Sequence, residues 1–337
     1  VNLRSYKKTI AEGKGIFIFA ILFAIFIRII YFIFSDESSF YISSSSNGYL
    51  WIPISSFFTQ SATISLLSTS IAIALIAFLN SHINTKYVLI RRKTFLPAAF
   101  SVLLFSCSTF FLGMSAEYFG VLFILLTISS LFSSYNSDKK QFGAFNASFI
   151  LTLGSLFVPG LLLYFPILWI GLGIMRCFNF KSFLATILGI IILYFPAFSY
   201  YLFTDKLAVF YAPFTSVTIN QLSNLPILNL QLADWIIIGF SGIIISIILI
   251  DSYINSYKDK IRTRAYIYLL ILITSVSILL SIFLNINYIS NIYIAIGVGT
   301  LILSHFYALA EDKWKIFLFY LYFILYIATC FLPYLPI

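Results

Sequence analysis

The chain has 337 residues, of which 61% are hydrophobic, 19% aromatic and 9% charged, and it carries a net charge of +9. A soluble domain would hold about 25% charged residues and roughly half apolar ones, so the composition argues against a soluble globular protein. The apolar residues form blocks near the ~20 residues that cross a hydrocarbon core, and the alternating segments of about ten residues that mark an outer-membrane barrel do not occur.

The expectation is an all-α, polytopic transmembrane helical bundle embedded in a lipid bilayer. In chain order the spans fall at about 16–34, 62–80, 95–113, 118–135, 146–158, 160–175, 183–203, 235–250, 266–285, 289–309 and 316–334. The basic start "VNLRSYKKTIAEGKG" leads into a long apolar run without a small-residue cleavage site, which reads as a retained first span. The fifth and sixth spans are short and meet at "LFVPGLL", where Pro159 and Gly160 interrupt the helix. That pair reads as two thin spans, a re-entrant hairpin or one long kinked span.

Loop charges choose among these. With the N-terminus cytoplasmic, all of the 20 basic residues except Arg28 and Lys206 fall in the first turns or in inner loops. A single kinked span at 146–175 would strand half of them on the wrong side. About eleven crossings follow, with the C-terminus extracytoplasmic. Because the basic residues sit between apolar blocks, the positive charge reports orientation rather than a nucleic-acid partner. The outer segments hold Asp36, Glu37, Glu117, Asp205 and Asp234 against Lys206. Two of them mix polar residues with aromatics, and "YLWIPISSFF" and "VFYAPFTSV" resemble segments lying in the membrane interface.

Chemistry-bearing residues are few. Cys107, Cys177 and Cys330 lie far apart with no metal or disulfide spacing, and His82 and His305 read as ordinary polar residues near inner loops. No nucleotide-binding glycine loop, HExxH or EF-hand pattern occurs, and no metal site is expected from spacing. Asp36 and Glu37, side by side at the outer end of the first span, suit a general base with its partner or a divalent-cation ligand. They equally suit the solvated border of a span. Glu117 stands at the outer mouth of the fourth span, either as the wall of an outward cavity or as a carboxylate on a helix dipole. Arg28 lies about two turns below Asp36, within hydrocarbon, and should face the bundle interior, where it contacts a lipid phosphate, pairs with an acidic residue or ties helices together.

The stretches "RRKTFLPAAFSVLLFS", "EYFGVLFILLTISSLF" and "GSLFVPGLLLYFPILWIGLGIMRCFNFKSF" resemble an uncharacterised family of multi-pass inner-membrane proteins of Gram-negative bacteria. The order of elements also looks like the membrane core of GT-C-type glycosyltransferases. Asp36 and Glu37 match the acidic position of their first outer loop, and Glu117 matches that of the second outer turn. The resemblance divides the single membrane domain 1–337 into a GT-C-like core over 1–205 with its first outer loop at 35–61, an outer loop at 206–234, and C-terminal helices over 235–337. It implies a bacterial inner-membrane location, a polyprenyl-phosphate-linked sugar donor, transfer on the outer side and a divalent cation. Asp36, Glu37 and Glu117 would then be catalytic, and Arg28 and Lys206 would contact the donor phosphate. The serine-rich "SSFYISSSSNGY" departs from the basic or tyrosine-bearing helix of such enzymes. The alternatives are a non-catalytic membrane subunit of an envelope assembly or export complex and, third, a secondary transporter.

Overall fold

The computed structural model describes residues 6–34, 48–58, 60–106, 108–215, 232–283 and 288–330. Among these residues the regular structure is all helix, with no strand. After a short wide turn at Lys7–Ala11 the helices are α1 Gly15–Phe34, α2 Ile52–Phe58, α3 Ala62–Tyr87, α4 Leu96–Leu104, α5 Ala116–Ser133, α6 Lys140–Ser155 and α7 Phe165–Ile174. They continue with α8 Phe180–Phe203, α9 Leu207–Thr215, α10 Leu232–Ile254, α11 Ile261–Phe283, α12 Tyr288–Ala308 and α13 Lys313–Thr329. Six helices, α1, α3, α5, α8, α11 and α12, are long and apolar enough to cross a membrane.

The expected interfacial segments form the two short helices α2 and α9, which expose Phe57, Val209 and Tyr211. Span α5 has 61% of its apolar window buried and α12 has 67%, against 28% in α1 and 22% in α8. The core therefore sits on α5 and α12, while α1 and α8 turn most of their surface outward. Because lipid is as apolar as leucine, packing and interhelical hydrogen bonds hold such helices together. Asn80 supplies one such tie, its amide donating to Ser101 Oγ at 2.9 Å, Gly297 carbonyl at 3.1 Å and Thr300 Oγ1 at 2.9 Å, so that α3, α4 and α12 share one polar contact.

Helix ends follow local chemistry. Ser61 caps α3 by accepting from the Ile64 amide at 3.2 Å, and Asn179 and Ser182 form a reciprocal capping box on α8. Helix α3 runs past the expected residue 80 because Asn80 and Asn84 are buried partners, not loop residues. The Asn84 side chain accepts the Ile90 amide at 3.1 Å.

The segment expected to span 95–113 differs most. Regular helix stops at Leu104, and the serine-rich continuation passes through turns and a tight helical turn at Thr109–Phe111. In a continuous helix the Phe111 carbonyl would be tied to its own ladder. Unwound, it accepts from two side chains described below.

The pair around Pro159 doubles back. Helix α6 leaves from beside Ser134, where Gly143 leaves no room for a Cβ, and the chain reverses through a tight helical turn at Pro159–Tyr164. Helix α7 then returns to the same end, where the Asn136 amide meets the Met175 carbonyl at 3.1 Å and the Cys177 thiol donates to the Ser134 carbonyl at 2.6 Å. One long kinked span is thereby overturned, since both ends of 140–175 lie beside residues 134–136. Gly154 lies at the reversal, where a Cβ would collide with Phe123 at 2.6 Å and Leu161 at 2.8 Å.

Candidate functional site

Arg28 is 6% exposed and lies between α1, α3 and the unwound stretch before α5. Its Nη1 donates to Thr69 Oγ1 at 2.9 Å, Ser70 Oγ at 2.7 Å and the Leu66 carbonyl at 3.3 Å, while Nη2 reaches the Phe111 carbonyl at 3.4 Å. The hydroxyls of Thr69 and Ser70 donate in turn to the Leu66 carbonyl at 2.9 and 2.8 Å. Their lone pairs are thus turned toward the guanidinium. A planar five-donor fork suits this spread of acceptors in a way a lysine ammonium does not.

The same Phe111 carbonyl accepts from the Tyr118 hydroxyl at 2.7 Å. Tyr118 packs edge-on to Tyr293, with ring centroids 5.1 Å apart, and Phe111 closes the ring cluster at 4.8 Å from Tyr293. Glu117 occupies the first turn of α5 and is 1% exposed. Arg28 and Tyr118, 90 positions apart in sequence, thus share one carbonyl acceptor, and Glu117 is the residue beside Tyr118 on α5. The N-terminal end of α5 also favours a carboxylate by its dipole.

Lys206, the other expected site residue among those described, is not brought to this cluster. Lys206 is exposed on the link between α8 and α9, next to Asp205, whose φ of 54° is left-handed. Helix α9 packs on α8 and is pinned by the Tyr49 hydroxyl, which donates to the Phe210 carbonyl. Asp36 and Glu37 lie outside the described residues, a few positions beyond Phe34, where α1 ends. Among the described residues, no three His, Cys, Asp or Glu side chains gather to hold a metal ion. A small space of about 20 Å³ lies elsewhere, between Thr127, Tyr164, Leu168 and Ile273. That is room for about one water.

No family model, curated protein or solved structure matches this chain.

A second charged cluster lies at the opposite end of the bundle, where the sequence suggested only orientation signals. Asp259, in the turn before α11, has a side chain 4% exposed and meets Arg91 Nη2 at 3.0 Å and His305 Nε2 at 3.3 Å. Burial alone would push the Asp259 carboxyl up, but His305 and Arg91 together outweigh it and hold the group below the ordinary carboxylate range. Nearby, Lys315 pairs with Asp251 at 2.6 Å, and Glu311 receives Arg92 at 3.6 Å and Lys7 at 3.7 Å. His305, read from sequence as an ordinary polar residue, is instead a buried partner on α12. Its signal was indirect: Asp259 is the single acid in the run "YKDKIRTR", and one acid among so many bases asks for a partner.

Proposed function

We propose that the chain crosses a bacterial inner membrane about eleven times, N-terminus cytoplasmic and C-terminus outside, and acts on the outer side as a GT-C-like transferase. Beyond the six long apolar helices, the reading adds α4, α6, α7, α10 and α13 as crossings. Its orientation draws on the cluster of Arg91, Arg92, Lys7 and Lys315 at one end, the positive end expected to face the cytoplasm.

The observation that carries the catalytic reading is that Arg28 and Tyr118, the neighbour of Glu117, meet at the Phe111 carbonyl, less than two turns from the end of α1 that leads to Asp36. In this reading Asp36 deprotonates an acceptor hydroxyl, and Glu37 orients it or holds a divalent cation. Glu117 contributes a second carboxylate, and a polyprenyl-phosphate-linked sugar is the donor. Of the two phosphate contacts in this reading, Lys206 is exposed, while the Nη donors of Arg28 are already engaged by four oxygens.

That same engagement favours a second reading. Arg28 is held by neutral groups and Glu117 is fully enclosed, as in a scaffold that ties helices together for a non-catalytic subunit of an envelope assembly. Asp36→Asn, Glu37→Gln and Glu117→Gln, at equal membrane expression, separate the two. The transferase reading expects the Asp36 change to reproduce the envelope-glycan defect of a gene deletion. If all three variants keep wild-type glycans while the deletion does not, the catalytic reading fails and the subunit reading stands.

A further inference from the structure

An open groove of about 480 Å³ separates the N-terminal ends of α6 and α8, the basic end of the bundle. Its lip carries Asp138 and Lys139, and its floor is Phe142, Phe145, Ala185 and Leu188. Phe142 is 63% exposed and Leu188 is 54% exposed, a large apolar area beside charged groups. Alongside it the two helices close: Ser148 Oγ donates to the Thr186 carbonyl at 2.5 Å, and a Cβ on Gly189 would meet Ser148 Oγ at 2.6 Å. The groove thus runs along the outside of a tight, parallel helix pair.

The charges around the mouth have one dominant sign. Lys140 opens α6 beside Lys139. Lys181 precedes Ala185 by one turn and shares its helix face. Asp138 is the opposing acid on the lip. A purely aqueous groove would leave the phenylalanine floor in water, and an apolar partner helix would leave the lysines without counter-charge. An acyl chain below an anionic headgroup satisfies both surfaces, and basic pockets between membrane helices recognise such headgroups.

We propose that this groove seats one anionic phospholipid, its headgroup on Lys139 and Lys181 and an acyl chain along Phe142, Phe145 and Leu188. The inference rests on the membrane-spanning reading but not on any catalytic role. The purified protein is reconstituted into nanodiscs of mixed phosphatidylcholine and phosphatidylglycerol, and co-purifying lipid is read by native mass spectrometry. Wild type retains phosphatidylglycerol preferentially. Lys139→Gln and Lys181→Gln each lower that retention about fivefold, while retained phosphatidylcholine and monodisperse elution are unchanged. A photo-crosslinking amino acid at position 142 labels lipid. Equal retention of the two lipids, indifference to both lysine changes, or a crosslink into a second protein chain overturns the proposal. Failure of the wild type to enter nanodiscs overturns the membrane reading itself, an outcome the glycan comparison does not produce.

Discussion

Arg28 shows how a charge can lie within an apolar helix. Its hydrogen-bond donors meet two hydroxyls and two carbonyls from two segments, so its desolvation is offset by charge-assisted bonds rather than by a single counter-ion. Arg28→Ala should destabilise the protein by about 3 kcal/mol. Arg28→Lys should recover only part of that, because one ammonium cannot span from Ser70 to Phe111. Thermal unfolding of the detergent-solubilised protein checks both, and equal stability of the lysine variant would remove the fork argument. Asp259 poses a pH question. Its folded-state pKa lies below the unfolded value, so its contribution is complete above the ordinary carboxylate pKa of about 3.9 and is lost as pH falls through the folded value. The groups facing it are Arg91 and His305. Asp259→Asn should cost about 1–3 kcal/mol near neutrality and flatten the acid limb of the melting-temperature profile. An unchanged acid limb would show that other carboxylates set it.

Among the elements, the hairpin of α6 and α7 organises the end to which Trp51 and Tyr49 attach. The Leu50 amide donates to the Leu156 carbonyl at 3.0 Å, and Gly48 lies so close to Phe157 that an added Cβ would collide with its backbone carbonyl. A backbone group cannot swing aside as a side chain can. Gly48→Ala should therefore detach residues 48–51 or cost about 1–3 kcal/mol. Hydrogen exchange at Leu50 reads this directly, and unchanged protection there would mean that the loop does not depend on the glycine. The hairpin itself was legible in "LFVPGLL", because proline and glycine interrupt a helix whatever surrounds them. The early end of α4 was not legible, since "FSCSTFFLG" is apolar enough to continue a span. What stops it is tertiary: the Phe111 carbonyl is needed by Arg28 and Tyr118, which lie 83 and 7 residues away.

At the scale of the molecule, the helical character and the clustering of basic residues at one end could be read from block lengths and loop charges. Arg28 could be placed in the interior because a lone charge in an apolar block has nowhere else to go. The partners of Arg28 could not be read, because Thr69, Ser70 and Tyr118 are ordinary residues until the fold assembles them. Asp259 and His305 were hidden for the same reason, being 46 residues apart and joined by packing between the α11 and α12 segments. The first and last helices also meet: the Tyr31 hydroxyl donates to the Cys330 carbonyl at 2.9 Å, across 299 residues. Ribosomes add about 5–20 residues per second, so the acceptor of that bond emerges roughly 15–60 s after its donor. Arg28 waits only 42 residues for Ser70, which is a few seconds at roughly the same pace. Synthesis thus covers the costliest group of α1 early and leaves its seam with α13 open far longer.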